Sequence, residues 1–401
     1  MDQKIGLGEA FMYADWDAKP SAKHFLTLLI RAKCYKSSLT KKMVIASQNK
    51  SNVERKEAET GEPMAFSSSW KNLVEFAFGI GIIAKKLLLN LQKLMLNSIR
   101  NVVWLWNYAK HRLRENTMLG SAKNIHEHYD LGNELFEMFL DSSFTYSCAL
   151  FDPIPSNELI KSDFALLEAA QRRKYDKILT EMQLKSDDHV LEIGCGWGSC
   201  GLYAVEKYGC KWTGITISKE QLKIAQKKVE DAKLGDRIEY KLLDYRLEKG
   251  VYDKVLAIEM IEAVGHEYLP EFFRTLSDRL RPGGLACLQA ITCPDAYYDR
   301  YRRSSDFIKK YIFPGGHLPS EGAIKAALPV QLTIRSVSHI GKHYSKTLDL
   351  WHAAWMEREK DILKMGYSKE FHRKWQFYFV LCSALFEYDH IDTVQMCITR
   401  H

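Results

Sequence analysis

Residues 189–201, HVLEIGCGWGSCG, constrain this chain more than any other stretch. An apolar run, HVLEIG, ends in glycines at 194, 196 and 198, and a helical pattern follows from about 199 to 208. A strand that turns directly into a helix through glycines opens an α/β unit, because glycine lets the backbone turn tightly and approach a ligand. The pattern then repeats. KWTGITI reads as a second strand, and Ser218 caps a helix running to about 232. IEYKLLD, YDKVLAIEM and LACLQAIT read as three more strands, with LPEFFRTLSDRL as the helix between the last two and RPGG as its closing turn. This alternation predicts an α/β fold, a doubly wound parallel sheet with helices on both faces. QLTIRSVSHI and VQMCITRH are expected to supply edge strands.

The glycine spacing narrows the ligand. A dinucleotide-binding turn reads G-x-G-x-x-G, yet the place of its third glycine is taken by Ser199. Dinucleotide folds also set an acid on the ribose about 20 residues further on. The second strand ends instead in Thr216 and Ser218, which disfavours NAD.

Upstream, HEHYDLGNELFEMFLDSSFTYSCALFD is rich in aromatics, with helical spacing in Leu131, Leu135, Met138 and Phe139, and a further helix is expected over 157–183. Residues 46–69 are polar and turn-rich and read as a linker. Between Lys71 and Arg114 stand eight Lys or Arg and one acid, Glu75, among long apolar runs. No uncharged run there approaches the ~20 residues that span a bilayer. An amphipathic basic helix pair fits, lying on an anionic membrane or packing on the catalytic domain. The net charge of +7 suits an acidic partner such as a membrane surface or nucleic acid. Nine scattered cysteines without a C-x-x-C read as reduced thiols of an intracellular protein, with no disulfide framework and no metal site. The first residues lack the apolar core of a secretory signal. The expected domains are 1–118, helical and membrane-associated, and 119–401, catalytic.

With Glu192, VLEIGCGWG resembles the first motif of class I methyltransferases, which bind S-adenosylmethionine (SAM); Asp244 stands where that class contacts adenine. More widely, the chain resembles the cyclopropane-fatty-acyl-phospholipid synthases, a family that includes the mycolic acid cyclopropane synthases. The likeness rests on GLGEAFMYADWD, HYDLGNELFEMFLD, TYSCALF, LEIGCGWG, GITISKEQ, EMIEAVGHE, SSDFIKKYIFPGGHLPS and HYSKTLDLWH, and its wording is closest to plant-type members. It implies a Rossmann-like catalytic domain with a helical lid and a small N-terminal helical domain. The family's first domain starts upstream of GLGEAF, so this one is expected to be incomplete.

The implied activity is transfer of a methylene, derived from the SAM methyl, to the cis double bond of an unsaturated acyl chain in a membrane phospholipid. The implied SAM contacts are Tyr146, Ser147, Glu192, Gly194, Gly196, Gly198, Thr216, Ser218, Gln221, Asp244 and Tyr245. The family also holds a bicarbonate as general base. Its ligands would be Cys148, Glu262, the main-chain amide of Ile291, and Tyr344. Gln289 stands where the family has a histidine; it can donate a hydrogen bond but cannot carry charge. Glu259 is the nearest rival to Glu262. Cys382 matches a position sometimes regarded as catalytic, although a thiol on an aromatic helix more often packs. The implied partners are acyl chains and the membrane surface, met peripherally from the cytoplasm, with no nucleic acid; a homodimer is left open. Two other outcomes remain: a lipid C-methyltransferase making a methyl branch or methylene, and a small-amine N-methyltransferase on the same scaffold.

Overall fold

The computed structural model describes residues 3–32, 116–118, 120–121, 131–156 and 161–401. The chain divides into two compact units, Met1–Asp2 with Leu28–Asn107, and Gln3–Thr27 with Tyr108–His401. The linker at 46–69 and the basic segment from Lys71 to Arg114 lie outside the described residues. Gln3–Thr27 group with the unit that carries the sheet. Helix α1 (Gln3–Met12) shows why: its Phe11 lies 5.6 Å from Phe377, and the Arg373 guanidinium sits 4.0 Å over the Phe11 ring. Lys23 adds ion pairs to Asp349 at 2.7 Å and Glu387 at 3.1 Å.

Helix α2 (Asn133–Glu137) buries Leu135 and Phe136. Helix α3 (Phe164–Glu181) starts where the Asp163 side chain accepts the Leu166 N–H, later than the sequence pattern suggests. The alternating part follows as expected: β1 (His189–Ile193), α4 (Ser199–Tyr208), β2 (Lys211–Thr216), α5 (Lys219–Ala232), β3 (Ile238–Leu242), β4 (Tyr252–Ile258), α6 (Leu269–Arg279) and β5 (Leu280–Thr292). Ser218 does cap α5, accepting the Gln221 N–H. Three short helices follow, α7 (Asp295–Arg302), α8 (Phe307–Tyr311) and α9 (Glu321–Ala327), then β6 (Leu332–His339), α10 (Gly341–Glu357), α11 (Glu359–Lys364), α12 (Lys369–Glu387) and β7 (Asp392–Arg400).

The strands form one sheet in the order β3-β2-β1-β4-β5-β7-β6. β1 to β5 run parallel, and β7 is antiparallel to both β5 and β6. One late segment therefore departs from expectation. β6 is an edge strand, but β7 is paired on both sides, which explains the buried run from Thr393 to Ile398. One core packs α6 and α9 on one face around Phe272, Phe273 and Leu276. The other places α3, α4 and α5 around Trp212 and Tyr240. The order reverses between β1 and β4, where open α/β sheets hold ligands beyond the strands' carboxyl ends. α10 and α12 pack together with α1 beside them, as the helical cover over that edge.

Candidate active site

A cavity of about 440 Å³ opens at the carboxyl ends of β1, β2, β4 and β5. That volume suits a cofactor with part of a substrate. The glycine loop after β1 forms one wall. Gly194, Gly196 and Gly198 have φ of +79°, +53° and +80°, a region that disfavours any side chain. The three do different work. A Cβ at Gly194 would meet Met260 at 2.6 Å, and one at Gly198 would meet Ala225 and Tyr240 at 2.8 Å. A Cβ at Gly196 would meet none of the described residues within 4 Å, so this glycine borders open space.

The remaining expected SAM contacts gather around the same space, except Ser218, which does not line it and caps α5 instead. Tyr146, Ser147, Thr216, Gln221, Asp244 and Tyr245 line it, with Glu192 at its base. Thr216 Oγ1 donates to Gln221 Oε1 at 2.8 Å and accepts the Ser218 N–H, tying the end of β2 to the start of α5. Glu192 is buried and accepts from Trp212 Nε1 at 2.9 Å; burial pushes its carboxyl up to about 8. Asp244 is held by the Arg246 guanidinium through both oxygens, at 2.8 and 2.7 Å. The open cradle at Gly196 and the ring of polar groups fit a nucleoside-bearing cofactor, and these residues would hold SAM.

The far end of the cavity is built around carboxylates. Glu259 follows β4 directly with φ +50°, rare for a residue with a side chain. Its main-chain N–H donates to the Gln289 carbonyl at 2.7 Å. Its carboxylate accepts three hydrogen bonds. Oε1 takes the Cys148 main-chain N–H at 2.9 Å and Gln289 Nε2 at 2.8 Å; Oε2 takes the Tyr344 hydroxyl at 2.7 Å. Gln289 Oε1 accepts in turn from Gln395 Nε2 at 2.9 Å. Glu262, one turn on, accepts the Ile291 main-chain N–H at Oε1, and its buried Oε2 has no partner among the described residues. Burial, then the nearby Glu259 charge, pushes the Glu262 carboxyl up to about 8. Burial also raises Glu259, against the pull of its three donors.

Every residue expected to bind bicarbonate thus comes together, but not around an open anion site. Three of its five expected ligands, Cys148, Gln289 and Tyr344, bond to Glu259, and the Ile291 amide bonds to Glu262. The residues present do not fit a separate bicarbonate. Cys148 also serves differently from expectation, because its amide faces the site. Its thiol donates to the carbonyls of Ala149 and Ile340, and burial holds it far above the usual thiol range. Cys382 lines the cavity with its thiol raised by burial, so it stays protonated as part of an apolar wall.

Lys174, from α3, is a site residue that no sequence motif points to. It is fully buried against the cavity, with Nζ on Ser147 Oγ at 2.7 Å. One signal was available: with Leu167, Gln171 and Ile178 it lies on the buried stripe of α3. Aromatic rings close the walls. Tyr146 stands 5.2 Å from Trp351, its hydroxyl 3.1 Å from that of Tyr378, and Tyr344 stacks on Phe386 at 4.6 Å.

The chain is similar to known proteins in sequence and fold. The model of the mycolic acid cyclopropane synthetase family matches residues 117–396. Among characterised sequences, the chain is 39% identical over 287 residues to the tuberculostearic acid methyltransferase UfaA1 of Mycobacterium tuberculosis, a match covering 70% of this chain and 65% of that one. It is 33% identical over 278 residues to the cyclopropane-fatty-acyl-phospholipid synthase of Escherichia coli, covering 68% and 67%. Among solved structures, the mycolic acid cyclopropane synthase CmaA1 complexed with SAH and CTAB superposes with a TM-score of 0.62 at 29% identity, over 70% of this chain and 98% of that one.

Proposed function

Because this chain belongs to the mycolic acid cyclopropane synthetase family, we propose that it transfers a one-carbon unit from SAM to the cis double bond of an unsaturated phospholipid acyl chain, leaving a cyclopropane ring. One observation carries the reading: a single cavity joins the glycine cradle to buried carboxylates between aromatic walls. When bound, SAM supplies an electrophilic methyl on a sulfonium. The loop from Gly194 to Trp197, with Thr216, Gln221 and Tyr245, holds it against the sheet edge. Ile308, Phe313, Leu348, Leu385 and Phe386 offer the acyl chain an apolar lining that excludes water. An alkene is a weak nucleophile, so alignment in a dry site is the main help the protein can give. The faces of Tyr146 and Tyr344 suit the positive charge that builds on the acyl chain, with ring–cation contacts worth about 0.5–2 kcal/mol each.

A second reading keeps the acyl substrate and changes the product to a methyl branch or methylene. The greater identity to the tuberculostearic acid methyltransferase, 39% against 33%, favours it. The enzyme would work at the cytoplasmic membrane face, its basic segment drawing it to anionic lipid. Incubation with SAM and vesicles of unsaturated phospholipid, followed by lipid mass spectrometry, tests the proposal. A gain of one CH₂ that survives mild hydrogenation supports the ring; a gain that hydrogenation alters supports the methylene, or a methyl branch on a chain that keeps its double bond; no gain overturns both.

A further inference from the structure

The proposed reaction ends when the transferred carbon loses a proton, and the identity of the base rests on that reading of the reaction. We infer that Glu259 is the base that takes this proton, in place of a separately bound anion. Its carboxylate is where an anion's donors converge. The Cys148 amide comes from the loop before α3, the Gln289 side chain from β5 and the Tyr344 hydroxyl from α10. Donors from three elements that meet on one carboxylate hold it charged and fixed. The same groups cannot also hold a second anion.

The backbone agrees. Glu259 keeps φ +50° with its N–H pinned on the Gln289 carbonyl. Such conformations persist where surrounding contacts over-determine them, and they gather at functional sites.

Two neighbouring buried carboxyls share charge poorly, so one keeps a proton. The hydrogen bonds indicate which. Glu259 is surrounded by donors alone, whereas Glu262 has one donor and an Oε2 without a partner among the described residues. Glu262 therefore holds the proton and Glu259 the charge. Buried Lys174 favours the charged form of Glu259 as well. The accepting atom is Oε2, which carries one donor against two on Oε1. After the one-carbon unit has joined the acyl chain, one of its C–H bonds breaks. The proton passes to Glu259 Oε2, and the electron pair closes the ring on the cationic carbon. Oε2 then returns the proton to solvent.

The test uses the full chain with SAM and unsaturated phospholipid vesicles, with and without bicarbonate. The native protein should turn over equally in both, and isotopically labelled bicarbonate followed by NMR should show no binding. Glu259→Gly suits the left-handed backbone and removes the carboxylate. Its rate should fall by ~10²- to 10⁴-fold, with SAM affinity by calorimetry unchanged. Added formate or bicarbonate should then restore activity, and the labelled anion should bind. Glu259→Gln fills the space with an amide, should be as slow, and should resist rescue; it decides the matter if the glycine variant melts early. A native rate that requires bicarbonate, or a glycine variant with full activity in its absence, overturns the inference while leaving the acyl reaction standing. A native protein that binds SAM and makes no lipid product overturns the reaction, and the inference with it.

Discussion

Gln289 holds Glu259 twice: its carbonyl oxygen accepts the Glu259 N–H at 2.7 Å, and its side-chain Nε2 donates to Glu259 Oε1 at 2.8 Å. Gln395, donating to Gln289 Oε1, fixes which end of that amide faces the carboxylate. An amide does not titrate, so this clamp donates at every working pH. A histidine here would donate or accept according to its protonation.

The glycine loop should separate binding from folding. Gly196→Val carries the strain of a left-handed backbone but points into open space, so it should destabilise less than the same change at Gly198, while SAM affinity falls by at least about tenfold, roughly 1.4 kcal/mol. Gly198→Val drives its side chain into Ala225 and Tyr240 from a left-handed backbone, and should cost about 2–4 kcal/mol of stability. Calorimetric titration and thermal melts compare the two. Undiminished SAM affinity in Gly196→Val would place the cofactor elsewhere.

Tyr344→Phe removes one donor from Glu259 and keeps the stack on Phe386. Loss of a hydrogen bond to a charged group costs about 1.5–3 kcal/mol. It also makes the carboxylate easier to protonate. The acid limb of the pH–rate profile should therefore move to higher pH, which a purely structural role for Tyr344 would not produce.

Glu262 makes stability depend on pH. Its folded value, about 8, lies above the ordinary glutamate value of 4.5, so the folded state keeps a proton the unfolded state has released. Its contribution is complete below about 4.5 and is lost as pH rises through about 8. Melting temperature should fall across that window, by up to ~1.4 kcal/mol of stability per pH unit. Glu262→Gln should flatten the slope, leaving the similar share due to Glu192. Equal slopes in native and variant would show that Glu262 ionises freely.

Lys174→Met replaces a buried cation with a chain of similar length. Buried charges often cost more than they return, so the variant should melt at or above the native temperature. Its rate should nevertheless fall, because Glu259 and Glu192 lose a charge that favours their ionised forms. Melts together with a pH–rate profile decide it.

Changing Lys85, Lys86 and Lys93 to Gln should weaken binding to anionic vesicles by about 1 kcal/mol per residue at most. The loss should be larger at low salt than at high. Sedimentation with vesicles at two salt concentrations measures it, and unchanged binding in both would make the segment a packing element.

Much of the catalytic unit was legible because it is local. Strand and helix periods, the Ser218 cap and the glycine turn are written within a few residues of where they act. The interior place of β7 was not, since a strand's neighbours are chosen by distant partners and its own residues show only that it is apolar. Glu259 stood in plain view as a rival to Glu262. Which acid faces the donors depends on a single left-handed residue after β4, and no sequence pattern announces that. Lys174 was readable from its stripe, but lysines on helices are so often solvated that the pattern carries little weight alone.

Two of the groups that fix the carboxylates, at Cys148 and Ile291, are peptide amides. Substitution there by any residue but proline leaves the donor in place, so these positions can drift in identity while their chemistry is inherited through the shape of the main chain. Laboratory evolution of the proton-transfer step thus has few letters to rewrite: 174, 259, 262, 289, 344 and 395 carry the side chains that set it. A library confined to those six codons would sample most of the chemical variety this scaffold can express at that end of the cavity.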